Sequence, residues 1–155
     1  MMKSILFWLL ATLLLTANTP VYSQQPKIFR IGFLGAVPRA SVAGRLEAFR
    51  AGLRELGYVE GKNLVVEERY AEAKIERVSD LAAELVRLKV DIIVTGGSQA
   101  TGPAKKATST IPIVMAQDND PLGSGFVATL AQPGGNITGL ANLTSELSGK
   151  QLEVL

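Results

Sequence analysis

The sequence has 0 cysteines and 0 histidines in 155 residues. Without thiols there is no disulfide framework and no thiol nucleophile, and without imidazole there is no Ser-His-Asp triad and no His-based metal site. No catalytic residue, resident metal or cofactor is therefore expected. Charge is sparse as well: 16 Lys+Arg stand against 14 Asp+Glu, a net +2 spread along the chain. Nothing forms the basic stripe that neutralises phosphates, so nucleic acid is not an expected partner. Phosphate-binding motifs are missing too. Gly32-Phe33-Leu34-Gly35 lacks the GxGxxG spacing, and no GxxxxGK[ST] follows any strand signal. Gly97-Ser98-Gln99-Ala100 lacks the second glycine of a nucleophile elbow.

Apolar residues are plentiful, at 47%, enough for one compact domain. Lys3 precedes an apolar run of 11 residues, Ile5 to Leu15, followed by a polar stretch. Spanning a bilayer takes roughly 20 residues, so the run reads as a cleavable secretory signal peptide rather than a permanent anchor. Val21-Tyr22-Ser23 places cleavage after Ser23, with Ala17 as the alternative. The expected divisions are a signal peptide over 1–23, an α/β lobe over 24–140, and the start of a crossover over 141–155. Free of cysteine, the mature end cannot be lipidated like a bacterial lipoprotein, so the expected location is the periplasm, without stable membrane insertion.

Strand and helix signals then alternate. Lys27 to Leu34 is a short apolar run closed by Gly35 and Pro38, a buried first strand. Val42, Leu46, Phe49, Leu53 and Leu56 make one helical stripe that stops at Gly57 in a left-handed cap. Asn63 to Tyr70 mixes apolar and charged positions, as a strand near a sheet edge would. A second helix is expected with Ile75, Val78, Leu81, Ala82, Leu85 and Val86 on its apolar face. Asp91 to Thr95 is a third strand, and Ile111 to Ala116 a fourth with Pro112 at its mouth. The helix between them carries Gly102-Pro103, expected to delay or kink its first turn. A helical stretch over Ser124 to Ala131, a short strand over Asn136 to Leu140 and a helix from Ser145 complete the reading.

Such alternation implies a right-handed, doubly wound parallel sheet with helices on both faces. Ligands bind such sheets at the carboxyl ends of the strands, which singles out the loops after the first, third and fourth strands. The candidate ligand-binding residues there are Gly35, Ala36 and Val37, then Gly97, Ser98 and Gln99, then Asp118 and Asp120. Free amides at a helix N-terminus favour a carboxylate near Ser98 and Gln99, and either Asp can receive an amine or hydroxyl. Plainer roles account for the same residues: Ser98 as a helix cap, and Asp118 and Asp120 as turn residues beside Pro121.

Ile31-Gly32-Phe33-Leu34, the run Phe49-Arg50-Ala51-Gly52-Leu53-Arg54-Glu55-Leu56-Gly57-Tyr58-Val59-Glu60-Gly61-Lys62-Asn63, and Gln132-Pro133-Gly134-Gly135-Asn136-Ile137-Thr138-Gly139 carry a resemblance. Leu81 to Val86, Val90 to Val94, Ala107-Thr108, Thr110 to Val114 and Asp120-Pro121 extend it, in the same order. Together they resemble bacterial ABC-transporter substrate-binding proteins of the tryptophan/tyrosine type, over Ile28 to Leu155. The resemblance implies the first lobe of a two-lobed periplasmic-binding-protein fold. It also implies a cleft for a small molecule, an aromatic amino acid or related carboxylate, and delivery to an ABC permease in the inner membrane, with no chemical transformation. The chain then looks truncated to that first lobe. A signal-anchored sensory ectodomain and an exported α/β enzyme are the alternative readings.

Overall fold

The computed structural model describes residues 27–142. The expected signal peptide and the helix from Ser145 lie outside them. Five parallel strands form one sheet in the order β2-β1-β3-β4-β5. They are β1 (Phe29–Gly35), β2 (Leu64–Tyr70), β3 (Ile92–Thr95), β4 (Ile113–Asp118) and β5 (Ile137–Ala141). Three helices connect them: α1 (Arg39–Glu55), α2 (Val78–Arg87) and α3 (Ser98–Ala107). The architecture is the expected α/β one, doubly wound, with β2 at one edge of the sheet. Among the described residues no helix is long and apolar enough to cross a membrane.

The alternation of each strand divides the core in two. Ile31, Phe33, Leu46, Leu64 and Val94 form the α1 side, joined by Phe49, Leu53, Val66 and Tyr70. Leu34, Ile93, Ile113 and Met115 point to the other side, against Leu81, Leu85, Ala100 and Ala104 of α2 and α3. α1 ends in a Schellman motif, as Gly57 predicted. The Gly57 amide donates to Arg54 O at 2.9 Å and the Tyr58 amide to Leu53 O at 2.9 Å, with Gly57 at φ 85°.

Three local expectations are corrected. Ile75 is 47% exposed, and α2 starts only at Val78 after a single 3-10 turn over Ile75–Arg77. Glu72 and Ala73 both take positive φ, 53° and 63°, so the backbone turns there before it can wind. The stretch Ser124 to Ala131 is not helical but a series of turns. Gly125 is left-handed at φ 66°, the Phe126 and Val127 amides both donate to Pro121 O, and only Val127 is fully buried, so no helical face forms. The third correction is to α3, which is not delayed by Gly102-Pro103: it runs from Ser98 with Pro103 inside it. Its first turn is held by side chains instead. Thr101 Oγ1 lies 2.8 Å from Thr95 Oγ1 and donates to Gly97 O at 3.1 Å, tying the helix to the end of β3.

Candidate functional site

From β1 the chain steps out to β2, then back across to β3, so the direction of winding reverses between β1 and β3. The loops leaving those two strands diverge to opposite faces and open a crevice at their carboxyl ends. A cavity of about 200 Å³ lies there. Phe33, Val42, Leu46, Phe49 and Val94 make its apolar floor. Arg45, Ser98, Gln117, Asp118 and Asn119 make its polar rim.

Each predicted residue has a definite place. Gly97, Ser98 and Asp118 line the cavity. Gln99 is exposed beside it on the first turn of α3 and does not line it. Gly35 and Ala36 are buried and do not line it, and a Cβ at Gly35 would lie 2.7 Å from the Tyr70 ring. Val37 is 37% exposed and lies off the lining. Asp120 is a turn residue whose Oδ1 accepts the Gly123 amide at 2.7 Å.

Ser98 does not cap α3. The N-cap is Gly97 at φ 109°, a conformation L side chains rarely adopt, and no side chain bonds to the first turn from the cap position. Ser98 is exposed at the helix N-terminus, and its hydroxyl makes no hydrogen bond among the described residues. Asp118 is more unusual. It is 1% exposed, its Oδ1 accepts the Asp120 amide at 3.0 Å, and its Oδ2 is buried with no hydrogen-bond partner among the described residues. Burying a carboxylate oxygen without a partner costs free energy, so an unfilled acceptor on a cavity wall marks a place for a donor.

Sequence reasoning missed Arg45, Phe33 and Phe49. Arg45 Nη1 donates to Gln117 Oε1 at 3.0 Å, joining α1 to β4 with no carboxylate among its bonds. The signal was there in the spacing. Arg45 falls three residues after Val42 and four before Phe49, on the flank of the apolar stripe, and Phe33 ends the first strand's inward row. Among the described residues no cluster of acidic side chains could hold a metal ion.

Comparison with known proteins adds the following. The family described as ABC transporter substrate binding protein matches residues 30–155. A tyrosine-binding protein of Clostridioides difficile is 30% identical over 129 residues, covering 83% of this chain and 37% of that protein. A crystal structure of an ABC domain from Streptococcus pneumoniae in complex with L-Trp superposes with TM-score 0.68 at 29% identity, over 73% of this chain and 38% of that one. A conserved domain protein of Vibrio cholerae gives TM-score 0.72 at 31% identity, over 76% and 40%. The chain thus spans well under half the length of these relatives.

Proposed function

The chain belongs to the ABC transporter substrate binding protein family, and from that membership we propose that it is the first lobe of a two-lobed receptor for a free amino acid with an apolar side chain. It binds its ligand in the periplasm, without transforming it, and hands it to an inner-membrane permease. The observation that carries this reading is the pairing of unlike charges over an apolar floor. The unpartnered Asp118 Oδ2 suits an ammonium group, while Arg45 and the free amides at the start of α3 suit a carboxylate. Phe33 and Phe49, whose rings pack against each other at 6.4 Å, supply the apolar surface on which a side chain, aromatic by preference, can lie. Relatives described as tyrosine-binding and as complexed with L-Trp support the same ligand class.

The test is equilibrium binding to the full two-lobed protein. L-tryptophan should bind more tightly than tryptamine, which lacks the carboxylate, and than indole-3-propionate, which lacks the ammonium. Asp118→Asn keeps the acceptor for Asp120 but loses the charge, and should weaken L-tryptophan by about 10- to 100-fold, from a lost charged hydrogen bond of about 1.5–3 kcal/mol. The 155-residue chain alone should bind far more weakly, because one wall leaves the ligand wet where pockets normally bury about 70–90% of it. Equal affinity for all three compounds would refute the reading.

A further inference from the structure

Strand β4 breaks its own alternation where it enters the cavity. Ile113 and Met115 point into the core against α2 and α3, and Val114 points to the α1 side. Continued regularly, the pattern would send Gln117 to the α2–α3 face. It does not go there. Gln117 lines the cavity, and its Oε1 accepts Arg45 Nη1 of α1 at 3.0 Å. The cause is a β-bulge: from Met115 to Asp118 the strand advances three residues while its partner β5 advances two, Gly139 to Ala141. Ala116 and Gln117 are exposed in succession, and Asp118 follows them onto the cavity wall. Strand β5 is fitted to the irregularity. Gly139 takes φ 145°, and a Cβ there would run into the Met115 carbonyl.

The bond ties a side chain of α1 to one of β4 at the cavity rim. An exposed arginine without a partner samples many rotamers, and only a fraction of them would face a ligand, so the apparent Kd would rise by the inverse of that fraction. Gln117 narrows the choice beforehand. A guanidinium presents several N–H donors in a rigid fork; one is given to Gln117, which sets the plane, and the rest have no partner among the described residues. Because the acceptor is a neutral amide, the positive charge is not cancelled. A carboxylate in the same place would pair with the fork and occupy it.

We propose that Gln117 is a positioning residue for ligand recognition: re-aimed by the bulge, it holds the Arg45 guanidinium at the cavity rim for the ligand's carboxylate. This rests on the amino-acid reading above. The bulge also leaves Asp118 on the same wall, so adjacent residues of one strand govern the two charges of the ligand, Gln117 through Arg45 and Asp118 directly.

The experiment measures binding of L-tryptophan and of tryptamine, and NMR relaxation of the Arg45 Nε–H without ligand, in the full-length protein and in its Gln117→Leu, Gln117→Glu, Arg45→Met and doubly substituted Arg45→Met, Gln117→Leu variants. Gln117 is exposed, so its replacement leaves folding intact. The expected result is L-tryptophan binding about 3- to 10-fold weaker in Gln117→Leu, from one lost hydrogen bond, with tryptamine changed by less than about 2-fold because it has no carboxylate. Gln117→Glu should lose more. In the Arg45→Met background Gln117→Leu should change nothing further, since the glutamine acts only through the arginine. Without ligand, the Arg45 side chain should be ordered in the unaltered protein and mobile in Gln117→Leu. Equal losses for both compounds would overturn the proposal, as would a full Gln117→Leu effect in the absence of Arg45, undiminished affinity in Gln117→Glu, or an Arg45 equally mobile with and without Gln117. An Arg45 ordered by Gln117 in a protein that does not bind L-tryptophan would instead refute the amino-acid reading and leave the positioning.

Discussion

The two flanks of the sheet differ in how they are finished. At the β2 flank, Glu68 accepts hydrogen bonds from Arg50 and, at 2.9 Å, from Arg39, while Arg50 also reaches Glu60 at 3.1 Å. On the other face of β2, Arg69 donates to Glu84 of α2 at 2.9 Å. Charge of both signs closes that edge and discourages a further strand. At the β5 flank stand Thr138, Gly139 and Leu140, all exposed. Among the described residues, one edge is closed by paired charges and the other ends in uncharged, exposed side chains.

The largest contrast should come from truncating an aliphatic residue on each side. Leu46→Ala, under α1 at 1% exposure, should cost about 2–5 kcal/mol in chemical denaturation, whereas Leu140→Ala should stay within about 0.5 kcal/mol in the 155-residue chain. A costly Leu140→Ala would break the comparison. Next in size is Glu68→Gln, expected to cost about 1–2 kcal/mol because two guanidiniums lose their shared negative charge and one of its two acceptor oxygens at a side chain only 16% exposed. Burial pushes the Glu68 carboxyl up, but hydrogen bonds from Arg39 and Arg50 outweigh it and leave its pKa below the ordinary value. Its contribution is therefore present above the unfolded pKa and lost as pH falls through the folded one, and Glu68→Gln should flatten that part of the acid profile.

Tyr70 gives a smaller effect of opposite sense. Burial, with the Glu68 charge beside it, raises the phenol from 10.0 to about 12. Stability should decline as pH climbs from about 10 to about 12, and Tyr70→Phe should remove that decline. Near neutrality the change should be within about 0.5 kcal/mol, since the hydroxyl has no hydrogen-bond partner to lose. Smallest of all is Ser98→Ala. With Gly97 as the cap, it should move stability by less than about 0.5 kcal/mol, where loss of a true serine cap would cost about 1.

Periodicity made the frame legible. The stripe from Val42 to Leu56, the continuous run Ile92 to Val94 and the mixed pattern of β2 each report burial on one face, two faces or an edge. Where backbone conformation overrode composition, the sequence misled. Consecutive left-handed residues at Glu72 and Ala73 postponed α2, and turns closed by Pro121 O displaced a helix at Ser124. At the site, the loops were legible because the carboxyl edge of a parallel sheet follows from topology alone. Arg45, Phe33 and Phe49 were not, because they converge only once α1 is laid across the sheet, a relation between residues distant in sequence. The exchange of cap between Gly97 and Ser98 turned on a single φ.

The hydroxyl bridge between Thr95 and Thr101 bears on the entropy of capture. Both side chains are fully buried, and Thr101 also holds Gly97 O, so the loop 96–98 is fixed between a core strand and a helix before any ligand arrives. Within it the Gly96 amide, bonded to Leu34 O at 3.0 Å, should exchange as slowly as those of β3, while the amides of Gly97 and Ser98 stay open, and a ligand that meets them has no loop left to immobilise.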